Sequence, residues 1–441
     1  MSIEIGDDLR KLMDSGIEWI GEIPVGWTVK PLKRMAKFGK GLPITKDDLI
    51  EQGVPVVSYG QIHSKTNNGT HLQDDLIRFV SETYLESNLL SLGKKGDIFF
   101  ADTSEDYAGI GNAVLVDIDI PVFAGYHTVI VRPDDQSYSR YLAYLFLTDA
   151  WRNQLCSRAS GIKVFSITQG LLKKTTVILP PSEKAVAMTD YLDRKCSQID
   201  AIIARQQEVI EKLKAYKLSV ITEAVTKGLN PDVPMKDSGV EWIGEIPEHW
   251  DTLKLQTHTR MLTPMRDKPE RLDGDIPWVR IEDYDGKYIS TSKEGLGVSL
   301  ETVKEMNLKI YPVGSILCTS SCDLGKCAIV TRELVSNQRF INIIPDSNTN
   351  SDYLYYLMLS NAERLNHLST GTIQANLSRK AFEHLMVQFP PISEQKVIAE
   401  YLDRKCEAVE LSISKKQELI DRLSFYKKSL IDEVVTGKKE V

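Results

Sequence analysis

Two stretches of the chain carry apolar residues at heptad spacing. In the first, one seam runs Leu192, Ile199, Gln206, Leu213 and Val220, and its companion runs Cys196, Ile203, Ile210, Lys217 and Ala224. In the second, the matching seams are Leu402, Val409, Lys416, Leu423, Leu430 and Cys406, Ile413, Ile420, Lys427, Val434. The pattern predicts two long helices whose apolar stripes pair as a coiled coil, with register fixed by the polar interruptions. Each helix is entered through a double proline, Pro180-Pro181 and Pro390-Pro391, with Ser182 and Ser393 expected as N-caps and Glu183 and Glu394 in the first turn. A run of about 45 residues gives about 65–70 Å of helix at 1.5 Å per residue.

The segments ahead of each helix read as short strands and turns. Residues 96–101, 122–131, 276–281 and 341–345 are strand-like, and residues 138–152 and 351–365 are helical. An α+β class follows: two mixed globular domains joined by two long helices in an antiparallel coiled coil. The expected blocks are 1–181, 182–230, 231–391 and 392–441, with the breaker-rich stretch 228–234 as the linker.

The halves also repeat as text. Asp14-Ser15-Gly16-Ile17-Glu18-Trp19-Ile20-Gly21-Glu22-Ile23-Pro24 returns at Asp237-Ser238-Gly239-Val240-Glu241-Trp242-Ile243-Gly244-Glu245-Ile246-Pro247, followed by Trp27 and Trp250. Tyr191-Leu192-Asp193-Arg194-Lys195-Cys196 returns unchanged at Tyr401-Leu402-Asp403-Arg404-Lys405-Cys406, 210 positions later. With antiparallel helices this internal repeat implies an approximate two-fold, placing unlike heads on a common frame. Two such heads would suit a split, asymmetric DNA site, since duplex DNA has two-folds of its own. The helices would then act as a ruler for the gap.

Composition narrows the chemistry. The 441-residue length calls for more than one domain. The acidic first residues do not resemble a secretory signal, and no apolar run reaches about 18 residues, so a cytoplasmic protein without a membrane span is expected. The net charge of −7 means that DNA binding would need charge patterned on one face, or a partner sharing the phosphate contacts. Cys318, Cys322 and Cys327 lack zinc-finger spacing and a nearby His, so they read as strand and loop cysteines. Gly325-Lys326 lacks the rest of a phosphate-binding loop, and no Asn-Pro-Pro-Tyr-like stretch signals an amino-methyltransferase. Glu394 and Lys396, far from Pro345-Asp346, make a poor nuclease set, and none of His63, His71, His127, His249 and His258 has a motif-spaced partner. Catalytic residues, a metal and a bound cofactor are therefore not expected.

Two loops at equivalent places are candidate readers. Residues 160–168 offer Gly161, Lys163, Ser166 and Thr168; residues 370–380 offer Gly371, Gln374, Asn376, Ser378 and Arg379. Such groups bond base edges and phosphates, although Thr168 or Ser378 could equally cap a helix. The repeated turn can be a structural staple, a docking surface for like partners, or both; the docking candidates are Trp19, Ile20 and Glu22 with Trp242, Ile243 and Glu245.

Taken together, the paired signatures, divergent heads and Pro-Pro-entered helices resemble the specificity subunit of Type I restriction–modification systems, across almost the whole chain. In this family Pro390-Pro391-Ile392-Ser393-Glu394-Gln395 fits the helix entry, while the first copy departs at Lys184. The departure is expected to alter local capping and leave function intact. The resemblance implies a noncatalytic subunit that reads double-stranded DNA. Its expected partners are two methyltransferase subunits, which use S-adenosylmethionine, and two ATP-dependent restriction subunits. The competing expectation is a coiled-coil interaction scaffold that binds no nucleic acid.

Overall fold

The structure, a computed structural model, describes residues 11–159, 164–264, 267–321, 325–368 and 377–441. The chain falls into two compact units. One comprises the first head with residues up to 205 and from 418 onward; the other spans residues 206–417. Each unit therefore holds one head, the start of its own long helix and the end of the other.

In the first head a four-stranded antiparallel sheet runs Ala113–Leu115, Ile98–Ala101, Thr128–Pro133, Ala36–Lys40. A second sheet contains Arg78–Val80, Val54–Val57, Val122–Ala124 and Leu92–Gly93. The second head has the corresponding five-stranded sheet, with Phe340–Pro345 and Ile316–Thr319 at its centre, and a smaller sheet about Ile276–Val279. Each head is closed by one antiparallel pair. Thr28–Pro31 pairs with Thr176–Leu179, and Asp251–Lys254 pairs with Met386–Phe389. The closing strands join the residues after each signature to the residues before each long helix.

Several elements are shorter than their sequence patterns. The apolar run 122–131 is two strands in different sheets, because the chain breaks at Gly125, where a Cβ would lie 2.0 Å from Ser58 Oγ, and at His127, whose φ is +54°. The helical run after it divides into Ser139–Phe146 and Asp149–Cys156 where Thr148 caps the second piece by accepting from Trp151 N. Its counterpart divides at Asn361 into Ser351–Ser360 and Ala362–Leu368. Residues 280–283 leave the strand Ile276–Val279 for a 3-10 turn.

The long helices are Ser182–Lys227 and Ile392–Val435. The second proline's carbonyl accepts the first helical amides, Ala185 N at Pro181 O and both Glu394 N and Gln395 N at Pro391 O, so the caps sit there and not at Ser182 and Ser393. At the 210-residue offset Lys184 faces the place of Glu394, and Ala185 the place of Gln395. Buried Gln395 holds Asn350 N, Asn348 O and Pro390 O, a network that Ala185 cannot make.

Every seam residue is buried or half-buried, as the period requires. Leu192, Cys196 and Ile199 join Leu430 and Val434 in the first unit's core; Ala224 joins Leu402 and Cys406 in the second's. The polar breaks meet partners, and these fix antiparallel pairing within each unit. Lys427 Nζ lies 2.7 Å from Asp200. Lys217 bonds Glu410, which is the same pair moved by 210 positions. Lys416 Nζ donates to Gln206 Oε1 at 3.1 Å, and those two residues are each other's counterparts. Such polar pairs admit one register where an unbroken apolar seam would admit several.

Candidate nucleic-acid interface

The signature turns are built alike. Asp14 Oδ1 accepts from Gly16 N and Asp237 Oδ1 from Gly239 N, both at 2.9 Å, and Ser15 N and Ser238 N donate to Gly21 O and Gly244 O, both at 3.0 Å. Gly21 and Gly244 sit at φ +70° and +71°, where a Cβ would strain the backbone although nothing crowds it. The second tryptophan of each signature is core: Trp27 and Trp250 pack against the end of the long helix from the other half. Trp250 Nε1 also donates to Glu394 Oε2 at 3.1 Å. The first tryptophan of each turn faces outward, Trp19 at 40% and Trp242 at 45% exposure, beside exposed Glu22 and Glu245. Ile20 is buried in its own core and Ile243 is half-buried, so the expected docking role of Ile20 does not fit its packing. Trp242 alone of the pair carries a cation, the Arg364 guanidinium 4.0 Å from its ring centre.

Each head is fastened to its helix through the aspartate of the second repeat. Tyr144 OH donates to Asp193 and Tyr356 OH to Asp403, both at 2.6 Å. The cations come from different places. Arg140, one turn before Tyr144, bonds Asp193 and lies 2.8 Å from Asp190. Lys287, from a distant loop, lies 2.6 Å from Asp352 and 2.5 Å from Asp403, among the rings of Tyr288, Tyr355 and Tyr356. Burial pulls the Lys287 ammonium down, but the two carboxylates outweigh it and hold it above its ordinary value.

Of the candidate readers, Ser166 is exposed on a short strand, Phe165–Ser166, paired with Thr103–Ser104. Thr168 Oγ1 accepts from Leu171 N at 3.2 Å and Ser378 Oγ from Ala381 N at 3.3 Å, so both hydroxyls cap short helices. Arg379 lies 2.6 Å from Glu383 on an exposed helix face. Gly161, Lys163, Gly371, Gln374 and Asn376 lie outside the described residues.

Two clefts border the strand Phe165–Ser166. One, of about 590 Å³, is lined by Tyr59, His63, Ser104, Asn112, His127 and Val164 among others. The other, of about 460 Å³, is bordered by Lys40, Asp102, His127, Ser166, Thr168 and Gln169. His127 thus forms a ridge between them. His63 is fully engaged, with Nε2 2.8 Å from Thr103 O and Nδ1 3.0 Å from Asn112 Nδ2. Sequence reading placed His127 in a strand and passed over Tyr59 and Asp102; no local spacing links them, because residues 59, 102 and 127 converge only in the folded head. Cys318 and Cys327 are buried cross-strand neighbours, and no group of metal-binding type occurs among the described residues. Among those residues no helix is long and apolar enough to cross a membrane.

The chain matches the family model of the Type I restriction modification DNA specificity domain over residues 24–212 and 259–421, one match for each half. Over 198 residues it is 33% identical to the MjaIX type I restriction enzyme specificity subunit of Methanocaldococcus jannaschii, which covers 43% of this chain and less than half, 46%, of that protein. It is 24% identical to the putative MjaX specificity subunit of the same organism over 96% of both chains. A solved chain from work on assembly and conformational transition of the type I restriction–modification system superposes with a TM-score of 0.69 at 15% identity, covering 95% of this chain and 99% of that one; this likeness concerns the fold. With the family model matching both halves, the chain belongs to the Type I restriction–modification DNA specificity family.

Proposed function

We propose that this chain is the DNA-recognition subunit of a type I restriction–modification complex and performs no chemistry itself. Each head, within residues 1–181 and 231–391, reads one half of an asymmetric bipartite site. The long helices set the spacing between the halves. The observation that carries this reading is the pair of family matches on two heads whose frames repeat while their exposed polar side chains differ. Ser166 and Arg379 on exposed surface, together with the neighbouring residues 161, 163, 371, 374 and 376, supply base and phosphate contacts in this scheme. Thr168 and Ser378 shape the loops by capping.

The outward Trp19 and Trp242 lie on near-identical turns. Two like surfaces accept two like partners, and two methyltransferase subunits fit that need, with ATP-dependent restriction subunits joining the assembled complex. Partner subunits sharing the phosphate contacts would reconcile DNA binding with a charge of −7. The compartment is then the one that holds the genome, the cytoplasm.

The test is methylation mapping of genomic DNA in cells with and without this gene. A two-part motif that disappears on deletion supports the reading. Exchange of residues 28–180 for another head should change one half-site only. An unchanged half-site after exchange would overturn it, and partner binding without any salt-dependent DNA binding would favour the scaffold.

A further inference from the structure

The two heads share a backbone junction that carries different side chains. In the first, Asp102 N donates to His127 O at 3.0 Å and Ile167 N donates to Asp102 O at 2.7 Å. In the second, Ser320 N donates to Arg339 O and Leu377 N donates to Ser320 O, both at 2.8 Å. Each junction ties the residue after a central strand, Ile98–Ala101 or Ile316–Thr319, to the residue before its antiparallel partner. It also ties in the residue just ahead of a capped short helix. The hydrogen-bond pattern makes Asp102 the counterpart of Ser320 and His127 the counterpart of Arg339.

His127 is held in place. Its backbone is in the left-handed region at φ +54°, its Nδ1 lies 3.2 Å from Asp102 Oδ1, and the Tyr59 ring meets it edge-on at 5.4 Å. A non-glycine residue in that region persists only where its surroundings impose it, and such residues gather at functional sites. With Nδ1 committed to the carboxylate and 57% of the side chain exposed, Nε2 is left for an outside partner. Arg339 is half-buried, and its backbone N–H is taken by Asn337 Oδ1 at 3.1 Å. Its guanidinium has no hydrogen bond or ion pair within the described protein. A free planar fork matches a paired acceptor such as the O6 and N7 edge of guanine.

We propose that His127 and Arg339 are the homologous base-reading residues of the two heads, with Arg339 contacting a guanine in one half-site and His127 one base pair in the other. The proposal rests on the chain being a DNA-recognition subunit. An oriented ring and a forked cation on one shared junction give different readouts from one frame, as an asymmetric site demands.

The test maps methylated motifs in cells carrying the complete system with wild-type chain, Arg339→Ala, or His127→Asn; asparagine tolerates the left-handed backbone, so the last variant preserves the fold. Arg339→Ala should relax a guanine requirement at one position of one half-site, discrimination there falling about tenfold or more. His127→Asn should relax one position of the other half-site. Unchanged motifs would overturn the assignment and leave the recognition reading intact. Uniform weakening across all sequences would also overturn it, marking phosphate contacts. Failure of the wild type to produce a two-part motif would instead remove the recognition reading beneath it.

Discussion

Asp193 and Asp403 occupy the same position of an unchanged six-residue repeat, yet they hold their heads by different means. Both accept from a tyrosine hydroxyl at 2.6 Å. Asp193 then takes Arg140 from the same short helix as its tyrosine, an arginine 43% exposed. At the place of Arg140 the second head has an acid, Asp352, and the balancing charge is Lys287, only 15% exposed and distant in sequence. The lesson is that a repeated frame constrains the charge needed at a point in space and leaves open which residue delivers it. Heads can then diverge without losing their attachment.

The sharpest way to test the common frame is to remove its buried aromatic. Trp27→Ala and Trp250→Ala should each destabilise their unit by about 3–5 kcal/mol, measured by denaturant unfolding. A large loss from only one of them would break the equivalence of the halves. The anchors should separate the two units next. Lys287→Met leaves Asp352 and Asp403 facing each other and should cost about 2–4 kcal/mol, part of it recovered when Asp352→Asn is added. Arg140→Met, at a wetter site, should cost about 1 kcal/mol or less in the same assay. Equal losses would mean that exposure does not distinguish the anchors.

The outward tryptophans should behave differently again. Trp19→Ala should shift unfolding by no more than about 0.5 kcal/mol. Trp242→Ala should cost slightly more, because it also gives up the Arg364 contact, worth about 0.5–1 kcal/mol at an exposed site. Co-purification of the modification partner should nevertheless fall in both; full recovery of partner would remove the docking role.

The smallest effect is a pH dependence in the first head. A hydrogen bond to the Asp117 carboxylate raises the His71 imidazole above its ordinary 6.5. That contribution is complete below pH 6.5 and fades as pH rises through the higher value of the folded state. Burial opposes the Asp117 charge, but bonds from His71 and Leu72 N outweigh it and lower the carboxyl below 3.8, so its share is lost as pH falls through that lowered folded value. The pair therefore stabilises most between about pH 4 and 6.5. Thermal melts of His71→Gln should lose the decline above pH 6.5; an unchanged profile would show that another group causes it.

Much of the frame could be read directly. Heptad spacing located both long helices, and the interruptions Gln206, Lys217, Lys416 and Lys427 fell where the structure supplies polar partners. Helix entry was legible only to within two residues, because the proline carbonyls, which any residue could supply, accept the first amides. The run 122–131 looked like one strand, since its apolar pattern cannot register that Gly125 approaches Ser58 closely or that His127 turns left-handed. In the candidate interface, Ser166 and Arg379 lie on exposed surface, whereas Thr168 and Ser378 spend their hydroxyls on caps.

What the sequence determined by itself is what rests on spacing along the chain: period 3.5 in the helices, the duplicated turn, and the order of parts in each half. What only the tertiary structure decided rests on distance in space. Lys287 is 116 positions from Asp403, and Asp102 is 25 from His127. Nothing local encodes such pairings; they arise when strands far apart in sequence are brought into register, and burial then makes an unpaired charge or donor costly.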